Sequence, residues 1–241
     1  MGKIENWYFE DLQETPSTND SVLELLSKCN APCIVCAAVQ TKGRGRLGRK
    51  WEGADGNLYV SFAYQIPILK IGHYVLLSGL AVLETIKTFA PVARVEVKWP
   101  NDVFLEGKKV SGILFEKGPD DYWVMGIGIN VARTPQVENP MYQITSLADL
   151  NVQTDRLKVL NVLVKHFDFL KMQYEKHGFA FLRALWLDNA YNRGKSVVIK
   201  QNGKETEGIL TDLDENANLV LSTNEGEKHI LVGDLFEGRN E

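Results

Sequence analysis

The chain has 241 residues, with 27 Lys+Arg, 31 Asp+Glu and 4 His, and a formal net charge of −4; it is 44% apolar, 24% charged and 10% aromatic. These fractions are globular and exclude a disordered chain, a collagen and a coiled-coil rod, and the acidity argues against a surface that grips nucleic acid over its whole extent. No apolar run reaches the roughly 18–20 residues expected of a membrane span, and MGKIENWYFEDLQETP lacks the apolar stretch of a secretory signal.

Taken in order, Pro16-Ser17-Thr18-Asn19-Asp20 reads as a helix start, with Val22, Leu25, Leu26 and Cys29 following at helical spacing. CIVCAAV, over 33–39, reads as a buried strand. Cys33 and Cys36 form a C-x-x-C, which is open to a redox or zinc role. Three residues apart on a strand, however, they point to opposite faces and read as buried thiols of a reducing, cytoplasmic compartment. Residues 41–56 form a Gly-rich loop, followed by a strand at 57–65, a helix at 72–90 stopped by Pro91, and a strand at 94–98. Strands at 103–105 and 110–116 flank Glu106-Gly107-Lys108-Lys109 as a hairpin, and Tyr122–Val131 is another strand. Helices at 154–177, closed by Gly178, and at 179–190 come next. After Asn192-Arg193-Gly194 the pattern becomes short β runs at 196–201, 205–212, 218–222 and 227–232, with a turn at Asn202-Gly203, which suggests a small barrel. The expected organisation is therefore residues 1–193 as a mixed α+β (α/β) sheet with helices on one face, and 194–241 as a small β-barrel.

Charge is unevenly placed. Residues 195–241 hold 5 basic and 10 acidic side chains, whereas 42–50 carry Lys42, Arg44, Arg46, Arg49 and Lys50 with no acid among them. Gly-Arg-Gly-Arg-Leu-Gly-Arg at 43–49 formally matches the dinucleotide pattern G-x-G-x-x-G and nearly matches a P-loop, but residues 49–56 cannot open a helix as those motifs require. The chemistry still suits an oxyanion: glycines expose backbone N–H groups and arginines supply bidentate forks. Five like charges repel when no anion is present, so the loop is expected to order on binding one. A solvated basic loop and a nucleic-acid strip remain open readings here. A second constellation, Lys98-Trp99-Pro100-Asn101-Asp102, sets a cation, an amide and a carboxylate at a strand end, and hairpin pairing brings Lys109 towards it. Gly126 and Gly128 leave a strand with little side-chain bulk, suited to a ligand lying across it.

GRGRLGRKW (43–51), KWPND (98–102), KVSGIL (109–114) and GIGIN (126–130), in that order, resemble the signature of biotin–protein ligases, and Ser17-Thr18-Asn19 and Gln40 match the family's remaining positions. The resemblance implies a class II aminoacyl-tRNA-synthetase-like catalytic fold followed by an SH3-like barrel. It implies two steps: biotin and ATP, with Mg²⁺, give biotinyl-5′-AMP, which then biotinylates a lysine of a biotin carboxyl carrier protein. By matched position, biotin would be bound by Ser17, Thr18, Asn19, Gln40, Gly43, Arg44, Gly45, Arg46, Lys109, Gly112, Gly126 and Gly128. ATP and the adenylate would be bound by Arg46, Arg49, Trp51, Lys98, Asn101, Asp102, Lys109 and Asn130. Arg46, Lys109 and Asp102 would carry the catalysis, and the metal ligands are not assigned. A lipoate–protein ligase shares the fold and the adenylate logic. Some relatives carry an N-terminal DNA-binding module, for which the residues before Ser17 are too few, so no nucleic acid is expected; some pair as homodimers through an exposed sheet edge.

Overall fold

The computed structural model describes residues 2–201 and 203–238. Its larger sheet has eight strands: β1 (Gly2–Ile4), β2 (Trp7–Thr15), β3 (Cys33–Gln40), β4 (Leu58–Gln65), β5 (Val95–Lys98), β6 (Asp102–Leu105), β7 (Lys108–Lys117) and β8 (Tyr122–Ile129). They lie in the order β1-β2-β3-β4-β8-β7-β6-β5. Every neighbouring pair is antiparallel except β2 and β3, which helix α1 (Thr18–Cys29) joins as a crossover.

Helices cover both faces, not one as the sequence suggested. Cys33 and Val35 pack with Val22, Leu25 and Leu26 of α1, whereas Ile34 and Cys36 join the main core on the other side. A strand apolar on both faces needs a cover on each. The main core is built on α2 (Ile71–Phe89), which lies against α3 (Arg156–His177) and across β5, β6 and β7, with α4 (Phe179–Asp188) alongside. Residues 68–89 are, contrary to the sequence reading, long and apolar enough for a membrane span by length and composition; their apolarity serves this packing instead, with Leu77, Leu80, Ala81 and Leu83 fully buried. Helix α3 starts where Asp155 accepts from the backbone N–H groups of Leu157 and Lys158, and it ends at Gly178, with φ of 75°.

Strand β2 was not expected from sequence, because its Trp7-Tyr8-Phe9 run followed by Glu10, Asp11, Gln13 and Glu14 does not alternate as a half-buried strand does. Trp7 fastens it: the indole packs edge-on against Phe62 at 5.3 Å and donates to Asp168 of α3 at 3.1 Å.

The C-terminal strands β9 (Ser196–Gln201), β10 (Lys204–Leu213), β11 (Leu219–Thr223), β12 (Gly226–Ile230) and β13 (Asp234–Glu237) form an antiparallel sheet in the order β12-β11-β10-β9-β13. Among the described residues its end strands do not pair, so the sheet is open rather than a closed barrel; Asn202 of the expected turn lies outside the described residues. Its inner side chains, Val197, Ile199, Leu210 and Leu221 among them, belong to the same buried cluster as α2 and α3. The 215–217 turn seats on the start of α2: a Cβ at Gly72 would lie 2.5 Å from the Asn216 carbonyl, His73 bridges Tyr174 and the Glu215 carbonyl, and Trp99 donates to Ala217 at 3.4 Å. This contact brings the 233–235 segment up to the basic loop.

Candidate active site

The four sequence motifs and the Ser17–Asn19 segment converge on one face of the large sheet. The start of α1 meets the end of β3, where Gln40 Oε1 accepts from the Thr18 amide at 2.9 Å and from its hydroxyl at 3.1 Å. Ser61 of β4 donates to Asn19 Oδ1 at 2.5 Å and to Thr18 Oγ1 at 2.7 Å. Asn19 Nδ2 donates to Glu116 Oε2 at 2.6 Å. A Cβ at Gly126 would sit 2.3 Å from Asn19 Oδ1, so that glycine makes room for Asn19, and it lines the same cleft. Ser17, Thr18, Asn19, Gln40 and Arg44 line an open cleft of about 480 Å³ that continues to Asn101 and Lys109.

The basic loop folds back on itself. Arg44 and Lys50 bridge as antiparallel partners, the Trp51 amide donates to the Gly43 carbonyl at 3.0 Å, and a one-turn helix at Arg46–Gly48 carries Leu47 at φ 56°. Gly43 is required there, since a Cβ would lie 2.5 Å from the Trp51 carbonyl. Gly43 and Gly45 thus shape the loop. The repulsion expected among its cations is met by the protein's own acids. Arg44 pairs with Asp20 at 2.8 Å and Glu116 at 2.9 Å, Lys50 with Glu52 at 2.7 Å, and Arg49 with Asp234; Arg46 lies 3.9 Å from Asp234. The Asp20 and Glu116 hydrogen bonds raise the Arg44 pKa above the ordinary arginine value. Burial pushes Glu116 up, but the hydrogen bonds from Arg44 and Asn19 outweigh it and hold its carboxyl below the usual range.

Lys109 reaches this face because β7 carries a bulge. Asp102 pairs with Gly112 and Val103 with Ser111, but Phe104 pairs with Lys109, so one extra residue is accommodated. In a regular strand, residues 109 and 112 would face opposite ways; here a Cβ at Gly112 would lie 3.4 Å from Lys109 Cε. Its Nζ lies 2.7 Å from buried Asp102 Oδ1, an ion pair whose angle leaves that oxygen without a directed hydrogen bond.

The Trp51 indole lies on the glycine surface of β7 and β8. Cβ atoms at Gly112 and Gly128 would come within 2.7 and 2.5 Å of it, and Lys109 Nζ stands 5.5 Å from its ring. Trp51 thus covers part of the surface read as a bed for the ligand, at Gly112 and Gly128, although both glycines line the first cleft with Gly126; among the described residues its Nε1 is buried without a hydrogen-bond partner. Beyond Trp51, Asn130 lines a second cleft of about 640 Å³ with Val137, Met141 and Ile144.

Arg46, Arg49, Lys98, Asn101, Asp102 and Lys109 line a third cleft. Arg46 donates to Asn101 Oδ1 at 3.2 Å. Burial pulls its pKa below the arginine norm, against the opposing pull of Asp234 and Asp102. Lys98 lies directly opposite Asp102 in the β5–β6 hairpin, but its ammonium turns to the C-terminal sheet, donating to the Leu235 carbonyl at 2.6 Å and to the Tyr142 hydroxyl at 2.9 Å. Burial lowers its pKa to about 8, with Asp102 opposing.

The residues 11–131 that build this face match the model of the biotin/lipoate A/B protein ligase family. Over 94% of its length the chain is 31% identical to a biotin–[acetyl-CoA-carboxylase] ligase of Paracoccus denitrificans, 99% of which is covered. This chain belongs to the biotin/lipoate A/B protein ligase family. It is also 33% identical to the bifunctional ligase/repressor BirA of Bacillus subtilis, over 92% of this chain and 71% of that one. Among solved structures, a biotin protein ligase from Aquifex aeolicus in complex with biotin and ATP superposes with a TM-score of 0.81 at 32% identity, covering 97% of this chain and 99% of that one.

Within this family fold, sequence reasoning passed over Ser61, Glu116, Tyr142 and Asp234. Glu116 closes the quoted 109–116 strand and had a local signal. Asp234 had none, since its partners lie about 185 residues away. Cys33 and Cys36 do face opposite sides, with thiol pKa values pushed up to about 12 by burial, so they form no redox pair.

Proposed function

We propose that this protein is an ATP-dependent biotin–protein ligase that forms biotinyl-5′-AMP and transfers biotin to a lysine of a biotin carboxyl carrier protein or domain. The observation that carries the reading is one continuous face with neutral hydrogen-bonding groups at one end, cations at the other, and Lys109 between them. Thr18, Asn19, Gln40 and Ser61 suit the uncharged ureido ring of biotin. The dithiolane of lipoate would leave such polar groups unmatched, which costs binding. Arg44 serves this end by fixing Asn19 through Glu116.

In the first step the biotin carboxylate attacks the α-phosphorus of ATP and pyrophosphate leaves. Both reactants are anionic, so the cations must offset their repulsion. Lys109 holds the reacting oxygens, Arg46 spans carboxylate and phosphate with its planar fork, and Asn101 orients Arg46. Entry of the anions draws Lys109 from Asp102. The freed carboxylate then accepts the proton of the acceptor lysine as its amine attacks the anhydride carbonyl and AMP leaves. Trp51, poised over Gly112 and Gly128, flanks the nucleotide, and Asn130 lines its pocket. Among the described residues no cluster of three or more His, Cys, Asp or Glu side chains forms a metal cage. Mg²⁺, which would supply charge neutralisation in the first step, would be held near Asn101 and Asp102, before Asp102 is freed to accept the lysine proton.

Residues 1–193 form the catalytic domain and 194–241 the C-terminal module, a division supported by the break between the two sheets. The 189–191 segment already covers the β5 edge, leaving β1, β12 and β13 as sheet edges for a second copy in a homodimer. Acid pairing of the loop arginines weighs against a nucleic-acid role, and inert buried thiols suit the cytoplasm. The test is ATP–pyrophosphate exchange: biotin should support it and lipoate should not. Exchange driven equally by lipoate would overturn the assignment.

A further inference from the structure

The basic loop and the C-terminal sheet meet at one carboxylate. Asp234, first residue of β13, pairs with Arg49 and lies 3.9 Å from Arg46, while Arg46 also donates to the Gly233 carbonyl at 3.4 Å. The Asp234 side chain is 16% exposed and that of Arg46 19%, so the contact sits inside the cleft wall, whereas Arg49 at 42% is open to solvent. Among the described residues, five cations, Arg46, Arg49, Lys50, Lys98 and Lys109, line this cleft with two acids. One of these, Asp102, is taken by Lys109; Asp234 answers the two arginines.

We propose that Asp234 is a built-in counter-anion for the nucleotide phosphates: it holds Arg46 and Arg49 in place while the cleft is empty and gives them up when the ATP polyphosphate enters, thereby setting nucleotide affinity. This rests on the reading that the Arg46–Arg49 end receives the phosphates. Two guanidinium groups in one turn repel, and a carboxylate between them relieves that repulsion. A phosphate presents the same planar pairs of acceptors with more charge, so it replaces the carboxylate at the arginines and leaves two anions facing each other. Because Arg49 is largely solvated, its pair with Asp234 holds the loop weakly, and repulsion of the incoming phosphate is the larger effect of the acid. The exchange needs only a side-chain rotation. The adjacent backbone stays anchored where Lys98 and Tyr142 both donate to the Leu235 carbonyl, at 2.6 and 2.9 Å. Asp234 is thus a positioning residue, acting through the arginines.

The test is calorimetric titration of wild type and the Asp234→Asn, Asp234→Ser and Asp234→Glu variants with α,β-methylene-ATP and, separately, with biotin. The neutral variants should bind the nucleotide about three- to tenfold more tightly, the Glu variant should match wild type, and biotin affinity should stay within about twofold throughout, because Arg44 answers to Asp20 and Glu116 instead. Two neutral side chains keep the test open should either variant fail to fold. Unchanged or weaker nucleotide binding in the neutral variants, with biotin binding normal, would mean that Asp234 is only a brace and would overturn the proposal while leaving the ligase reading intact. A wild type that binds biotin but no nucleotide would overturn both.

Discussion

At one end of the cleft, Thr18, Asn19, Gln40 and Ser61 hydrogen-bond one another at 2.5–3.1 Å, and Arg44, paired with Asp20 and Glu116, lies beside them. At the other end, Arg46, Arg49 and Lys109 face the cleft directly, and each finds its partner in an acid at the same site. The first end is organised before any ligand arrives, as recognition of a neutral ring requires, since neutral hydrogen bonds discriminate by geometry. The second end is held by contacts that an anion of higher charge displaces. A ligase that must bring a carboxylate to a triphosphate gains from this division: specificity resides where charge is low, and cations are released where charge develops.

The comparison breaks most readily at Lys109, which stands between the two ends. Lys109→Ala should lower biotin-dependent ATP–pyrophosphate exchange by about 10²–10³-fold, the scale of losing one transition-state donor. A rate within a few-fold of wild type would remove Lys109 from the chemistry.

Two glycines of β8 sharpen it. A Cβ at Gly126 meets Asn19 Oδ1 at 2.3 Å, whereas one at Gly128 meets the Trp51 indole at 2.5 Å. Gly126→Ala should raise the KM for biotin about tenfold with little change for ATP, and Gly128→Ala should act mainly on ATP. If both substitutions weaken both substrates alike, the ends are not separate.

The smallest effect is on stability. The pKa of Lys98 is about 8 in the folded protein, below its ordinary 10.5, so burial of its charge costs stability below pH 8, and the cost fades as pH rises to 10.5. Wild type should therefore gain on Lys98→Gln in urea unfolding between pH 7 and pH 9.5. A difference that is flat or moves the other way would show that burial does not lower the Lys98 pKa.

Much of this site was legible in the sequence because its parts are local. The hairpin at Glu106-Gly107, with φ of 50° and 74°, follows from turn chemistry and delivers Lys109 towards Asp102. The start of α1 at Thr18 was legible in Pro16-Ser17-Thr18-Asn19-Asp20, although the Ser17 side chain makes no capping hydrogen bond and the Thr18 amide donates to Gln40 instead. What stayed hidden depends on tertiary neighbours. The bulge that turns Lys109 onto the face of Gly112 leaves no mark in the apolar alternation. Two of the glycines that suggested an open bed, Gly112 and Gly128, lie against Trp51 from a loop some sixty to eighty residues earlier. Asp20, Glu116 and Asp234, which quiet the basic loop, lie on α1, on β7 and in the C-terminal sheet, so a charge count over 42–50 could not anticipate them. The excess of acids over 195–241 likewise gave no sign that one of them, Asp234, lines the cleft of Arg46 and Arg49.

The most direct measurement is transfer of labelled biotin to a purified biotin carboxyl carrier domain with and without ATP. The account expects label on the carrier lysine only with ATP present, and biotinyl-5′-AMP with pyrophosphate when the carrier is left out. Label transferred without ATP, or no adenylate when biotin and ATP are both supplied, would contradict it.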